Sequence, residues 1–262
     1  MSALFRRLFF DIETSPCILL AWGPGFKLSI PHENIVRERA IICIAWKWED
    51  SKVVRCETWD KHQNDKAMLK QFVGVMHQAD EIVGHNSDRF DTPWIRTRCL
   101  YHGIPMSPEF VSIDTLKAAR SKFRFNSNRL DYLARFLLGD QKRPTGFDLW
   151  KRILLDKDPV ALRKMQRYCK HDVRLLEQVF QKLSPFLPAK THRAVAKGDE
   201  PRFLGMCPEC ASERTTINRY RTTAAGHRKV VYQCQDCGKY NTVAESRWLR
   251  AKKDAEEAAE CG

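Results

Sequence analysis

Two carboxylates, Asp11 and Glu13, lie at the end of an apolar segment near the start of the chain. That segment is predicted to be a strand over Leu4–Asp11, and residues two apart in a strand project from the same face. Two like charges this close repel each other unless a cation lies between them. The pair therefore predicts a site for a hard divalent ion such as Mg2+ or Mn2+, which prefers carboxylate oxygens. For this pair alone, exposed acids at a strand end are the simpler alternative.

A third carboxylate, Asp91, lies between a short predicted strand and a predicted helix, next to Phe90 and five residues after Asn86. A fourth, Asp172, follows Tyr168 by four residues within a long predicted helix. Residues four apart share one face of a helix. Tyr168 and Asp172 are therefore expected to face one common site.

The order of these three motifs resembles the DEDD superfamily of 3′-to-5′ exonucleases. Its members have D-x-E on the first strand, an N-x4-D type of second motif, and Y-x3-D or H-x4-D on a late helix. The second motif is most similar to that of the proofreading exonuclease domain of family B DNA polymerases. Tyr168 with Asp172 matches the tyrosine subclass, and Arg167 stands where the histidine subclass has its base. The segment Leu130–Gly139 also resembles the helix that precedes the third motif, and the whole resemblance covers residues 5–183.

The resemblance implies a ribonuclease-H-like fold with a two-metal site that hydrolyses nucleic-acid phosphodiester bonds. In such a site Asp11 bridges two Mg2+ or Mn2+ ions, while Glu13 and Asp172 complete the shell of the ion that binds the attacking water. Asp91 holds the second ion near the leaving 3′ oxygen. Tyr168 orients the water, and hydroxide formation falls mainly to the metal because a phenol with a pKa of about 10 is a weak base at neutral pH.

Several of these residues have simpler alternative roles. Tyr168 could merely pack on the helix. Asn86 and His85 could be turn residues that do not contact substrate. His171 points about 100° away from Asp172 around the helix and is interpreted as a surface or packing residue. Asp114, at the end of a predicted strand, either supports the site from behind or caps the helix that follows.

Other side chains are expected to contact nucleic acid. Lys122, Phe123 and Arg124 interleave cations and an aromatic ring, and single-stranded nucleic acid is held by such combinations of stacking and charge. A core position for Phe123 is the alternative. The complete set of expected substrate contacts is Thr14, Asn86, Phe90, Lys122, Phe123, Arg124, Arg219 and Arg221.

Four cysteines near the C-terminus form two C-x2-C pairs, Cys207 with Cys210 and Cys234 with Cys237. Four thiolates arranged in this way suit Zn2+ in a closed structural site. The pattern is that of a zinc ribbon, although rubredoxin-like iron uses the same ligands. So small a unit has little core, and bound metal is expected to supply most of its stability.

The segment between the two pairs is basic and includes Arg219 and Arg221 with Tyr220. This composition predicts a ribbon that binds nucleic acid, with a purely structural knuckle or a protein-docking module as the alternatives. The isolated cysteines are interpreted as small packing residues, and they are Cys17, Cys43, Cys56, Cys99 and Cys169.

The remaining pattern predicts an α/β fold with a mixed five-stranded sheet flanked by helices. After the first strand, the expected strands are Ala40–Trp48, Val53–Trp59, Glu81–Gly84 and Phe110–Asp114, with a turn around Asp50. The expected helices are one around Met68–Met76, then Pro93–Tyr101, Leu130–Leu137 and Pro159–Leu183. Predicted domains are a nuclease domain at 1–184, a linker at 185–204, a zinc ribbon at 205–243 and a charged helix or tail at 244–262.

The chain has 262 residues, a net charge of +13 and a pI near 9.4, which favours a polyanionic partner such as nucleic acid. No apolar run is long enough for a membrane helix, no secretory signal is evident, and the cysteine pattern indicates a reducing compartment. A cytoplasmic monomer is expected.

The leading functional hypothesis is a stand-alone 3′-5′ exonuclease that acts on single strands or primer termini of DNA. An exoribonuclease is the main alternative, because discrimination depends on how the site treats a 2′-OH. A non-catalytic protein that binds nucleic acid through the ribbon is a third hypothesis, which the presence of all four acids disfavours.

Overall fold

The computed structural model of the chain describes residues 5–23, 29–49, 51–140, 146–196 and 205–260. Its strands are β1 (Arg7–Thr14), β2 (Ile18–Leu19), β3 (Ile35–Arg37), β4 (Ile41–Trp48), β5 (Arg55–Thr58), β6 (Glu81–Gly84), β7 (Ser112–Asp114), β8 (Thr215–Thr222), β9 (Arg228–Cys234) and β10 (Tyr240–Ala244). Its α-helices are α1 (Lys66–Met76), α2 (Asp91–His102), α3 (Thr115–Lys122), α4 (Leu130–Leu138), α5 (Asp148–Leu154), α6 (Pro159–Leu183), α7 (Arg193–Ala196) and α8 (Glu245–Glu260). Two short 3-10 helices are formed by His32–Asn34 and Ser184–Phe186.

The main sheet has the strand order β5-β4-β1-β6-β7. Strands β5, β4 and β1 are antiparallel neighbours, and β6 and β7 continue the sheet in parallel to β1. The predicted mixed five-stranded α/β sheet is therefore confirmed. Strand β1 lies at the centre, where it has a partner on each side.

One face of the main sheet packs against helices to form a hydrophobic core. Leu8, Phe10 and Ile12 of β1 point to this face and pack against buried residues of α1 and α2. The Phe72 ring of α1 lies 5.6 Å from Phe10 and 5.4 Å from the ring of Trp46, measured between centroids. Alternation along β1 therefore places Asp11 and Glu13 on the opposite face.

Helix α6 covers that opposite face. Asp158 caps its start by accepting hydrogen bonds from the backbone N–H groups of Val160 (2.7 Å) and Ala161 (3.3 Å), and Pro159 occupies the first helical position. A buried ion pair between Lys47 of β4 and Glu177 ties the helix to the sheet. The bounds of α6 are those predicted from the sequence.

Several other element boundaries differ from the prediction. Strand β1 continues through Thr14, so Asp11 and Glu13 lie within it rather than after it. Helix α2 begins at Asp91, two residues earlier than expected, and ends at His102, where Gly103 caps it in the left-handed conformation with φ of 65°. Helices α3 and α5 and the small β2–β3 sheet were not predicted, because each is short or weakly periodic. The predicted turn at Asp50 lies outside the described residues.

By contacts, one compact unit contains Arg7–Lys117 and Phe125–Val179, and the remaining residues form a second unit. The second unit has a three-stranded antiparallel sheet of order β10-β9-β8. Trp248 of α8 packs on this sheet against Val230 and Tyr232, with ring centroids of Tyr232 and Trp248 4.7 Å apart. Of the alternatives for the C-terminal segment, the helix is therefore the one observed through residue 260, and residues 261–262 lie outside the described part.

The segment predicted as a linker contains the short helix α7. The backbone N–H of Arg193 donates to the Pro208 carbonyl (2.9 Å), and its guanidinium lies 4.6 Å from the ring centroid of Phe5. Residues 197–204 of the predicted linker lie outside the described residues, and the domain limits stay a prediction. None of the described helices is both long enough and apolar enough to cross a membrane.

Candidate functional site

Three of the four predicted acids form one cluster. Ligand oxygens of Asp11, Glu13 and Asp172 all lie within 4.8 Å of one another. Asp11 and Glu13 are half-buried and Asp172 is fully buried. Burial lowers the local dielectric and strengthens the repulsion between these carboxylates. A bound cation would remove that repulsion, and oxygen ligands of this type suit Mg2+ or Mn2+.

The fourth acid, Asp91, is the first residue of α2 and is only 4% exposed. Its Oδ1 accepts a hydrogen bond of 3.1 Å from the backbone N–H of Ile12, the residue between Asp11 and Glu13. Asp91 therefore lies beside the same strand, but it is not a member of the three-carboxylate cluster.

The loop that delivers Asp91 makes a sharp turn after β6. A Cβ on Gly84 would lie 2.3 Å from the Cβ of Ser87, so only glycine allows this close approach. Asn86 has a φ of 66°, and its carbonyl accepts hydrogen bonds from the N–H groups of Arg89 and Phe90. Asn86 thus has the turn role that was one of its two interpretations, and its contact with substrate stays a prediction.

Asp114 joins this loop to α3. Its Oδ1 accepts hydrogen bonds from the N–H groups of Asn86 (2.9 Å), Leu116 (2.9 Å) and Lys117 (3.2 Å). The helix-capping interpretation of Asp114 is therefore confirmed. The same carboxylate also holds the loop before Asp91, so it positions the site without belonging to the three-carboxylate cluster.

Tyr168 lies one turn before Asp172 on α6 and is half-buried. Between them, the Cys169 thiol lies 3.5 Å from the Asp11 carbonyl and 3.5 Å from its Oδ2. This contact and the acid cluster place Cys169 and Asp172 beside Asp11, and the expected orientation of Tyr168 toward the same site stays a prediction. Arg167 is exposed, and His171 is half-buried.

Three cysteines predicted as packing residues form a group of thiols. Burial raises the pKa of Cys169, and the neighbouring thiols Cys43 and Cys56 raise it further. Hydrogen bonds from Cys169 and Cys43 lower the pKa of Cys56. On β4, Cys43 is the register partner of Glu13, so these thiols line the same sheet face as the carboxylates.

Two positioning contacts were missed from the sequence. The Lys47–Glu177 ion pair holds α6 on the sheet five residues after Asp172. Its sequence signal is a single lysine in the otherwise apolar strand β4. The indole N–H of Trp150 donates to the Thr14 carbonyl (3.1 Å) at the irregular end of β1. Both contacts join residues distant in sequence.

The remaining predicted substrate residues have diverse environments. Thr14 and Phe90 are half-buried, and the Phe90 ring contacts Trp94 edge-on at 6.5 Å. Lys122 and Arg124 are exposed. Phe123, between them, is half-buried and packs edge-on against Phe186 at 5.7 Å, so it is not a deep core residue.

The four cysteines of the second unit also form a cluster, with sulfur atoms within 4.8 Å of one another. The Sγ atoms of Cys207 and Cys237 are 3.6 Å apart, as are those of Cys210 and Cys234. Tetrahedral zinc with Zn–S bonds of about 2.3 Å requires sulfur separations of about 3.8 Å. The donor set and its dimensions therefore fit Zn2+.

Each C-x2-C pair lies on a tight knuckle. The N–H groups of Ala211 and Gly238, four residues after Cys207 and Cys234, donate back to the carbonyls of those cysteines at 2.9 and 3.0 Å. Both residues have positive φ, of 59° and 72°.

On the three-stranded sheet, Arg219 and Arg221 are exposed. They pair in register with Val231 and Lys229, whereas Tyr220 pairs with Val230 of the face covered by α8. Because side chains alternate along a strand, the two arginines and Lys229 share the open face. This face is a concentration of positive charge.

A family model of the RNase H superfamily matches residues 36–184, more than half of the chain. The chain belongs to the RNase H superfamily. The matched segment contains Asp91, Tyr168 and Asp172, and β1 with Asp11 and Glu13 precedes it. Comparison with curated protein sequences gives no match.

Among solved structures, the superfamily fold is also found in the family B DNA polymerase from the hyperthermophilic archaeon Pyrobaculum calidifontis. The TM-score is 0.53 at 17% sequence identity, and the match covers 85% of this chain. It covers 31% of the polymerase, so this RNase H superfamily member spans about a third of that protein's length. At this identity the likeness shows a shared fold.

Proposed function

We propose that this member of the RNase H superfamily is a metal-dependent 3′-5′ exonuclease that hydrolyses phosphodiester bonds at the 3′ end of DNA. The observation that carries the proposal is the cluster of Asp11, Glu13 and Asp172, with Asp91 beside the same strand. The superfamily, the net charge of +13 and the order of the acidic motifs all agree with a nucleic-acid substrate.

The four acids divide into two groups that suit two metal ions. Asp11, Glu13 and Asp172 would hold one ion between them, and Asp91, with Asp11 as the bridging residue, would hold the other. Bound Mg2+ or Mn2+ would supply a hydroxide nucleophile at neutral pH and neutralise charge on the scissile phosphate and the leaving oxygen. The separation of Asp91 from the three-carboxylate cluster supports its assignment to the leaving side.

The protein supplies position rather than a strong base. Tyr168 lies one turn from Asp172, and we assign it the role of orienting the attacking water. Thr14, Asn86 and Phe90, around the ends of the strands that deliver the acids, would contact the terminal nucleotides. The Cys169 thiol, whose pKa is raised by burial, stays protonated at neutral pH and lies 3.5 Å from Asp11 Oδ2.

For the second unit we propose a zinc ribbon that binds nucleic acid. Cys207, Cys210, Cys234 and Cys237 would hold Zn2+, and the ion would link the two knuckles that carry these cysteines. Arg219 and Arg221, on the open face of that sheet, would contact phosphates, because cations on an exposed strand neutralise a nucleic-acid backbone.

The test is a time course of hydrolysis with Mg2+ or Mn2+ on 5′-labelled DNA and RNA of matched sequence, as single strands and as primer termini. We expect ladders that shorten from the 3′ end and faster hydrolysis of DNA. Asp11→Ala/Glu13→Ala should abolish the ladder, and Asp156→Asn, which changes an exposed acid outside the cluster, should not. A circular single strand should persist.

Equal degradation by the wild type and the double variant would refute the catalytic proposal. Cleavage of the circular strand would identify an endonuclease instead. Faster hydrolysis of RNA under the same conditions would replace DNA by RNA as the substrate and leave the assignment of the acids intact.

A further inference from the structure

Helix α4 has an exposed aromatic face that the proposed catalytic site does not use. Leu130, Leu133 and Ala134 are buried and attach the helix to its unit. Tyr132 and Phe136 are four residues apart on the opposite side, and Phe136 is 63% exposed. The solvent-facing side of an amphipathic helix usually carries charged and polar residues. Large aromatic rings at these positions therefore indicate a binding surface.

The rings hold one another in fixed orientations. Tyr132 and Phe136 stack with an interplanar angle of 11° and centroids 6.0 Å apart. Phe125, from the segment before the helix, meets Phe136 edge-on at 5.7 Å and 72°. We call these three residues the aromatic platform. Because their rotamers are already restrained by mutual packing, a flat ligand can stack on them with little further loss of side-chain entropy.

Cations flank the aromatic platform. The Arg135 guanidinium lies 5.6 Å from the centroid of the Tyr132 ring. Arg129, 81% exposed, forms a 3.2 Å ion pair with Asp131, the one acid in the sequence of the helix. Proteins hold single-stranded nucleic acid by stacking its bases on aromatic rings and by neutralising its phosphates with cations such as arginine.

We propose that the aromatic platform binds unpaired nucleobases of a single-stranded nucleic acid, with Arg135 and Arg129 contacting its phosphates. The inference rests on the proposed nuclease function and names the strand state that the protein recognises. A protein partner is the less suitable occupant, because the exposed face of Asp131, Tyr132, Arg135 and Phe136 contains no aliphatic side chain. Stacking is tolerant of sequence, as an exonuclease that removes every nucleotide requires.

The experiment measures binding of the full-length, zinc-loaded protein to a labelled 16-nucleotide oligothymidylate by fluorescence anisotropy, in buffer without Mg2+ or Mn2+ to prevent hydrolysis. Phe136→Ala should weaken binding by about 5- to 160-fold, the range expected for loss of one base-stacking ring. Phe136→Tyr keeps the ring and should bind within about twofold of the wild type. Phe147→Ala, which removes an equally exposed ring outside the platform, should have no effect.

An abasic oligomer of the same length separates stacking from charge. The wild type and Phe136→Ala should bind it equally, whereas Arg135→Gln should weaken both oligomers and reduce the slope of log Kd against log salt concentration by about 1. Oligouridylate in a parallel arm shows whether the strand bound is DNA or RNA, and binding to either by stacking supports the platform. A circular-dichroism melt checks that each variant is folded.

Unchanged binding of oligothymidylate by Phe136→Ala would overturn the inference, as would an equal loss on the abasic oligomer or an equal loss in Phe147→Ala. Hydrolysis by the wild type in the presence of Mg2+ is measured separately, because it tests the proposed nuclease function independently of binding to the platform. If the wild type hydrolysed nothing but lost oligothymidylate binding on Phe136→Ala, the platform would stand and the exonuclease would not.

Discussion

Replacement of Asp172 by asparagine should have opposite effects on stability and on catalysis. The ligand oxygens of Asp11, Glu13 and Asp172 lie within 4.8 Å of one another. At an effective dielectric constant of about 20, two charges at that distance repel by about 3.5 kcal/mol. Two of the three pairs in the cluster involve Asp172, so the metal-free protein contains a strong repulsion that the substitution removes.

Solvent around the half-buried Asp11 and Glu13 screens part of this repulsion. We therefore expect Asp172→Asn to stabilise the protein in EDTA at pH 8 by about 2 kcal/mol or more, which raises Tm by about 4 to 8 °C for a protein of this size. The same substitution removes a charged ligand of the proposed metal site. Hydrolysis and the rise in Tm caused by Mg2+ or Mn2+ should both be lost.

The assay is thermal unfolding of the wild type, Asp172→Asn and the exposed control Asp156→Asn, each in EDTA and in a titration of Mn2+. Hydrolysis of a labelled oligonucleotide is measured on the same samples. The control should change the free energy of unfolding by less than about 0.5 kcal/mol. A variant that is less stable than the wild type in EDTA, yet is stabilised by Mn2+ to the same extent, would refute the electrostatic reasoning.

Three further predictions follow from individual contacts. Tyr168→Phe should lower the single-turnover rate of hydrolysis by about 10- to 100-fold and leave stabilisation by Mn2+ unchanged, because it removes only the hydroxyl that orients the water. Cys207→Ser should release zinc to a colorimetric chelator and weaken nucleic-acid binding, while slow hydrolysis of short substrates continues. Asp65→Asn should destabilise the protein by about 3 kcal/mol at pH 7 in denaturant titrations, since Asp65 is buried and accepts 2.8 Å hydrogen bonds from the Arg98 guanidinium. Burial acts to raise the pKa of Asp65, but Arg98 and the other hydrogen-bond donors lower it overall, so this stabilisation is complete above about pH 4 and is lost as pH falls through the lowered pKa.

Each of these predictions has a contradicting result. A Tyr168→Phe rate equal to that of the wild type would assign the tyrosine to packing. Unchanged nucleic-acid binding by Cys207→Ser at low salt would favour a structural knuckle over a binding ribbon. An Asp65→Asn variant with the same acid dependence of unfolding as the wild type would show that another carboxylate governs the acid transition.

Local patterns were sufficient for much of the fold. The alternation that places Asp11 and Glu13 on one face and the Pro159 start of α6 are decided by neighbours in sequence, and the structure confirms both. The i and i+4 spacing of Tyr168 and Asp172 lies within the same helix, and the common site that they are expected to face stays a prediction. The C-x2-C pairs likewise predicted the cluster of thiols. Helices α3 and α5 were missed because eight and seven residues carry too little periodicity to distinguish them from loops.

The sequence by itself determined which residues are available for chemistry: four acids, a tyrosine and four knuckle cysteines. Only the tertiary structure decided how the acids are grouped, with Asp172 beside Asp11 and Glu13, and Asp91 directed to the Ile12 N–H. That grouping depends on the packing of α6 on the sheet, fixed by the Lys47–Glu177 pair across 130 residues of chain. No local pattern encodes such a contact, because its stabilisation arises only when distant segments exclude water together.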